Sequence, residues 1–354
     1  AHGKKSASDK RKAVAAAVAA AGALMASGSA IASADLGTND AVNIAPNNVP
    51  NPTAGREAVA VGPNATASHQ HSIAIGRNAT AKWTNTISIG KDTVASKDHA
   101  LAMATSATAL GVQSVGIGSY SNASADSAVA LGQNAKAGGE VPAGADKGSG
   151  TAAVAVGYLA NASAANTVAT GKSATATVDN AVAVGVSSSA TNRNALALGG
   201  YSAASGERAT AVGAASKATG TASFAGGTSA NAAGVNSVAV GGSMTAAEAA
   251  QAAGANSIAV GSKSNAQQAA DVAVGHGATA NGTSSGTNAE GSVNNAGSAM
   301  AIGTEAQATG IVATAIGQRS QALANGAVAL GGDAQAKQGS DVAIGRGSVA
   351  NGTS

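Results

Sequence analysis

The sequence predicts an all-β fold, a solenoid of fourteen-residue coils, and three observations carry that prediction. First, glycines recur at multiples of fourteen residues: Gly62, Gly76, Gly90, then Gly118 and Gly132, then an unbroken run from Gly157 to Gly241. Gly261, Gly275, Gly303, Gly317, Gly331 and Gly345 continue the series, and Ala104 fills the one vacant slot, giving nineteen copies. A fixed short period is the signature of a repeat architecture and outranks local propensity. Second, Val, Ile or Leu usually stands three and one residues before each glycine, flanking a small residue, as in Val59-Ala60-Val61 and Val182-Ala183-Val184. Alternation of this kind marks a half-buried strand. Third, alanine stands five residues after the anchor in all nineteen copies, from Ala67 to Ala350. Each copy therefore reads as a strand, a glycine turn, a second strand with a small-residue face, and a polar turn.

Stacking such coils at the ordinary strand spacing of about 4.8 Å gives a rod of roughly 90 Å. The expected packing puts the Val/Ile face of the first strand inside, against the Ala/Ser face of the second, because large residues opposite small ones interdigitate. Each fully buried Val or Ile then contributes about 1.5–3 kcal/mol, and neighbouring coils add in series. This packing leaves the ladder of small residues between the Val/Ile pairs on the outside. Ala60, Ala74, Ala183, Ala197, Ala239 and Ala343 are accordingly expected to line a contact between copies of the chain, as in a closed homo-oligomer.

The stretch Asn256 to Ala266, NSIAVGSKSNA, states the repeat most fully; Asn236 to Gly241, NSVAVG, gives its first half, with Met244 in place of the serine. This motif, NSVAIGxxSxAxG in fourteen-residue coils, resembles the head domain of YadA-like trimeric autotransporter adhesins, over about Glu57 to Ala350. The resemblance implies a left-handed parallel β-roll assembled as a parallel homotrimer. It also implies ligands such as collagen, fibronectin or laminin, and self-association between cells. The family's collagen-binding motif carries over to Asn256, Ser257, Ile258, Ala259, Val260, Gly261 and Ser264. The fold itself calls for Ile258, Val260 and Gly261, so their loss would also act through unfolding.

Taken in order, residues 1–34 read as a partial signal peptide. Ala1–Lys12 is basic, Ala13–Ala26 is apolar and rich in alanine, and Ala32-Ser33-Ala34 offers a small-residue cleavage site. The apolar run is too short and too weakly hydrophobic for a membrane span. AHGKKSAS with the following RKA is similar to the end of the extended signal region of large autotransporters. Residues 35–56, with Pro46, Pro50 and Pro52, form a lead-in expected to cap the first coil, since an exposed sheet edge invites pairing. Residues 57–354 hold the coils, with insertions near 138–150, 243–254 and 281–297. The second, containing AAEAAQAAG, is expected to make a short helical turn. Insertions in solenoids leave as loops, which either carry specificity or serve as spacers. No neck, heptad stalk or membrane strands follow Ser354 in the sequence in hand, so the family's attachment parts are expected elsewhere.

From Asp35 onward, 15 basic and 16 acidic residues remain of totals of 20 and 17, so the basic balance belongs to the leader. No basic stripe for nucleic acid stands out. The absence of cysteine fits an exported protein held by stacking. For catalysis the sequence offers little. His69 and His71 could ligate a metal but lack a third convergent ligand. His99 and His276 are isolated. No G-x-S-x-G elbow with a plausible triad appears. Val115–Ser119, VGIGS, has glycines that the repeat already explains. Neither catalytic residues, nor a metal site, nor a cofactor is expected. Hexapeptide acyltransferases are excluded by the period, and calcium β-rolls by the missing GGxGxDxUx repeats. Ice-binding solenoids need an unbroken threonine ladder, which Thr66, Thr80 and Thr108 begin and other residues interrupt. The expected function is a non-enzymatic adhesin head on the cell surface of a Gram-negative bacterium, its affinity built by multivalency along the repeats. The alternative is a passive rod that projects other domains.

Overall fold

The computed structural model describes residues 31–36, 42–46, 52–139, 151–283 and 297–352. Each copy of the repeat folds into one coil with a three-residue strand, a turn, a two-residue strand and a second turn. The coil around Gly185 shows the plan. Val182–Val184 is followed by the turn at Gly185, then by Ser189–Ala190. Val182, Ala183 and Val184 stand in parallel register with Leu196, Ala197 and Leu198 of the next coil. Ser189 and Ala190 likewise match Ala203 and Ala204. Amide groups join coil to coil: the Val182 N–H donates to the Ala195 carbonyl at 2.9 Å, and Gly199 N–H to the Val184 carbonyl at 2.8 Å. The architecture is a parallel β-solenoid.

Two turns close each coil, and both use the left-handed region. The Ser188 N–H donates to the Gly185 carbonyl at 3.3 Å, across Ser187 at φ 53°. The Ala195 N–H donates to the Asn192 carbonyl at 3.2 Å, across Asn194 at φ 56°. Asparagine tolerates this region better than other side chains, which explains its recurrence one residue before the serine of the NS pair. The anchor glycine is required for two reasons. Gly185 sits at φ +133°, and a Cβ there would lie 2.5 Å from the carbonyl oxygen of Gly199 in the next coil. Ala104, in the one slot without glycine, is held at φ 94°.

The interior reverses one expectation. Ala183 is fully buried, together with Ala181, Ser188 and Ala190, while Val182 and Val184 point outward and stay half-exposed. The same holds for Ala60, Ala74, Ala197 and Ala239, each fully buried inside its own coil, and for Ala343, 3% exposed. These six alanines are therefore core residues and not a contact between chains. The cause is the size of the coil. Strands of three and two residues linked by turns of four and five residues enclose a space wide enough for methyl and hydroxymethyl groups. Every inward position accordingly carries Ala, Ser, Thr or another small residue, with few exceptions. Valine and isoleucine have no room inside and cover the outer face of the three-residue strand.

The described residues fall into two compact units, one ending at Lys172 and the other beginning at Ser173, built of the same coil. In the first, Ile31–Leu36 pairs antiparallel with Val42–Pro46. Val42, Asn43 and Ile44 then lie parallel to Val59, Ala60 and Val61, on the edge of the first coil. The expected cleavage site after Ala34 falls within the Ile31–Leu36 strand; the rest of the expected leader lies outside the described residues. Residues 140–150 also lie outside them, yet Val129, Ala130 and Leu131 pair in register with Val154, Ala155 and Val156 across that gap.

In the second unit, the extra residues after Gly241 form a 3₁₀ turn, Ala246–Glu248. They shift the repeat in space: Ala252, not Ala246, pairs with Ala232 and Ala266. Ala246 stands five residues after its anchor in sequence but is exposed. Residues 284–296 lie outside the described residues, and Val272–Val274 pairs with Met300–Ile302 across them.

Candidate functional site

Residues 256–264 can be placed one by one. Asn256 occupies the left-handed region at φ 57°. Its N–H donates to the Val235 carbonyl at 2.7 Å, and its side-chain oxygen accepts from Asn236 Nδ2 at 3.1 Å. The Ser257 hydroxyl is buried and donates to the Gly254 carbonyl at 2.7 Å. Ser264 is also buried and donates to the Gly261 carbonyl at 2.6 Å. Ala259 lies inside the coil, in register with Ala239 and Ala273. Gly261 adopts φ 119°. Ile258, 38% exposed, and Val260 face outward. Of the seven predicted ligand contacts, the single chain leaves the side chains of Asn256, Ile258 and Val260 accessible. Ser257, Ala259 and Ser264 are enclosed by their own coil and hold its turns and core. The motif is in the first place a folding motif: Asn for a left-handed turn, Ser to bind the turn carbonyl, Ala inward, Gly where a side chain would strike the next coil.

The outward rows make an apolar face on each unit. In the first, Val59, Val61, Ile73, Ile75, Ile87 and Ile89 stack in register on one face. In the second, Phe224 and Gly226 replace the usual pair. The Phe224 ring covers Gly226 so closely that a Cβ there would lie 2.8 Å from Cε1. A large and an absent side chain thus keep the apolar surface continuous. The opposite face, on the two-residue strands, presents Thr66, Thr80, Val94, Thr108, Asn122 and Lys136 and is mostly polar. Period-two alternation located the apolar rows in the sequence. Their direction was legible from a different signal, the uniform smallness of all four inward positions.

Polar and charged groups gather on the turns. Arg319 Nε donates to Asp333 Oδ1 one coil on at 2.8 Å, and this holds the Asp333 carboxyl below its ordinary range. Asp92 is lowered by the hydrogen bond from Asn78, with Lys91 and Arg77 adding to it. Glu57 is lowered by the hydrogen bond from Gln70 and further by His71 and Arg56. His71 Nε2 lies 2.8 Å from Glu57 Oε2. His69 does something else: its ring stacks on Trp83 with centroids 5.2 Å apart. The pair His69 and His71 thus does not converge, and among the described residues no group of three or more His, Cys, Asp or Glu could hold a metal.

One carboxylate is inside. Asp271 takes the inward position usually held by Ala or Ser and is fully buried. It accepts the N–H groups of Gln268 at 2.8 Å, Ala299 at 3.0 Å and Gly282 at 3.3 Å. Burial pushes its carboxyl above the ordinary value, and those N–H donors pull it back in part. Asp341, at the same repeat position, accepts from Gln338 and Gly352 at 2.9 and 3.3 Å. Both aspartates stand in DVA(V/I)G(H/R)G sequences followed by ANGTS.

The model of the YadA head domain repeat matches residues 54–79, 105–135, 149–174, 176–202, 204–230, 227–243, 248–264, 295–311 and 310–334. Together these cover more than half of the chain. The search of curated proteins returned no match.

Proposed function

This chain belongs to the YadA head-repeat family, and on that footing we propose that it is the head of a surface adhesin that works as a parallel homotrimer. The family and the solenoid are of a structural, adhesin type and not an enzymatic one. The observation that supports the trimer is the outward apolar face. A single chain leaves rows of Val, Ile and Leu half-exposed, and contiguous apolar surface on this scale marks an interaction site. Three copies packing these rows around a common axis would cover them, leaving the polar two-residue strands and the turns outside. The reading extends to a left-handed coil, to export by the leader at residues 1–34, and to display at the outer membrane through an anchor. Ligands of the class of collagen, fibronectin or laminin would be held by repeated weak contacts, three chains multiplying each one.

The experiment is the solution mass of residues 35–354 by light scattering, followed by binding of the same sample to immobilised collagen, fibronectin and laminin. A trimer that captures matrix protein is the expected result. A trimer that captures none would leave the head as a passive spacer, and a stable monomer would overturn the assembly.

A further inference from the structure

In the first four coils of the first unit, the turn after the two-residue strand carries Arg56, His69, His71, Lys82, Lys97 and His99. At its centre, three successive coils place His69, Trp83 and Lys97 at one repeat position. The imidazole stacks on the indole at 5.2 Å and 13°, and Lys97 Nζ lies 5.7 Å from the same ring centroid. The two carboxylates of this edge are already engaged. Glu57 accepts from Gln70 Nε2 at 2.8 Å and meets His71 at 2.8 Å. Asp98 Oδ1 accepts the Thr84 N–H at 3.2 Å. Glu57 also meets Arg56 at 3.7 Å, so what remains outward is the Lys82 and Lys97 ammonium groups, on successive coils about 4.8 Å apart, on either side of the exposed Trp83 in sequence.

We propose that this edge binds a linear anionic polysaccharide laid along the coil axis. A single phosphate would need a concave cradle of donors, whereas two ammonium groups on successive coils, Lys82 and Lys97, with an exposed indole between them in the sequence, suit a chain with anionic groups repeated along it. Trp83 is 44% exposed, but His69 and Lys97 flank its ring from the coils on either side. Its faces are therefore unavailable for stacking nucleobases, which single-stranded nucleic acid binding uses, while its edge offers an apolar contact to the C–H surface of a sugar. The side chains beside it, Lys82 and Thr84, are polar, so the edge is not a bilayer patch. None of these groups is needed for the coil, because all lie on the outside of the turns. The site is separate from residues 256–264. It extends the surface-binding reading, and matrix-protein capture and saccharide binding are measured apart, so either fails without the other.

Trp83 is the one tryptophan of the chain, so tryptophan emission, excited selectively over tyrosine, reports this site alone. The test titrates the full chain with a heparin hexasaccharide, a hyaluronan hexasaccharide, neutral dextran, a DNA oligonucleotide and phosphatidylserine vesicles. The expected result is a saturable fluorescence change with one or both anionic hexasaccharides and none with dextran. Heparin alone would place the recognition in sulfate, and both in charge density. Affinity should fall by about tenfold between 50 and 300 mM salt, as charge pairing is screened. Lys82→Ala with Lys97→Ala, which keeps the reporter, should weaken binding by about tenfold. No saturable change with either hexasaccharide, unchanged affinity in the double variant, or tighter binding of DNA or vesicles would overturn the proposal. Circular dichroism of the double variant confirms that the coils are intact.

Discussion

Glutamate introduced at Ala197 and at Leu198, adjacent residues of one strand, should have opposite consequences. Ala197 is fully buried, in register with Ala183 and Ala211, and faces Ser202 and Ala204 across the coil. A glutamate there must either lie unpaired in a space sized for a methyl group or force the coil open. The effective penalty for burying an ion is several kcal/mol even after relaxation, against a total stability of about 5–15 kcal/mol for a domain. Leu198 is 43% exposed. Glutamate there forfeits about half of a leucine's burial, roughly 1 kcal/mol in the single chain, which moves the melting temperature of a unit this size by about 2–4 °C. In the trimer, however, it places three charges at the covered face. The assays are far-ultraviolet circular dichroism and light scattering on the same samples. Ala197→Glu should lose β signal, whereas Leu198→Glu should keep it and dissociate to monomer. An Ala197→Glu protein that keeps its β content and falls apart into monomers, beside an unfolded Leu198→Glu, would refute the orientation of the strands.

Three further outcomes follow from the coil. Val312 is a β-branched residue at φ 56° and 60% exposed, where several other coils carry Asn; Val312→Asn should raise stability by about 1 kcal/mol, and Ala104→Gly, relieving φ 94°, should also raise the melting temperature. Ser257 and Ser223 share one repeat position, but the Ser257 hydroxyl is bonded at 2.7 Å and the buried Ser223 hydroxyl has no partner among the described residues; denaturant melts should show Ser257→Ala costing about 1 kcal/mol and Ser223→Ala nothing or a small gain. Asp271 has its carboxyl raised above 3.8 in the fold, so its contribution to stability is full below that value and is lost as pH rises through the raised one; a melting-temperature profile against pH should fall across that window, and Asp271→Asn, uncharged throughout, should flatten it.

The period, the strand positions and the glycine turns were legible because each is written nineteen times. The direction of the strands was misread because alternation alone does not say which face is inside. Large apolar residues are usually buried, and the rule fails here because the enclosed space is set by backbone closure and not by side-chain volume. The decisive signal was that Ala58, Ala60, Ala65 and Ala67, the four inward residues of one coil, are all small and that their counterparts are too. The motif at residues 256–264 was read toward a ligand for a related reason. Recurrence points to constraint, and the hydroxyls of Ser257 and Ser264 turn out to be constrained by carbonyls of their own coil. The Trp83 column leaves no trace in any one copy. It emerges when His69, Trp83 and Lys97 are aligned by the period and found in contact.

The small interior also bears on why this chain would assemble. An alanine side chain buries little apolar area, so a coil filled with methyl groups gains less from its core than one filled with valine, which contributes about 1.5–3 kcal/mol when fully buried. Here the valines and isoleucines are half-buried in the single chain. Covering the exposed half of two such residues per coil would add on the order of 2 kcal/mol for each coil and each chain. That gain accumulates along the repeats, because every coil contacts its neighbours in the same register. In this account the trimer supplies the hydrophobic core that a narrow coil cannot hold. Association would then add stability to chains already folded into coils, and dilution would lower the melting temperature by mass action. A melting temperature independent of chain concentration over a hundredfold range, in a sample shown to be trimeric, would break the link between the outward rows and stability.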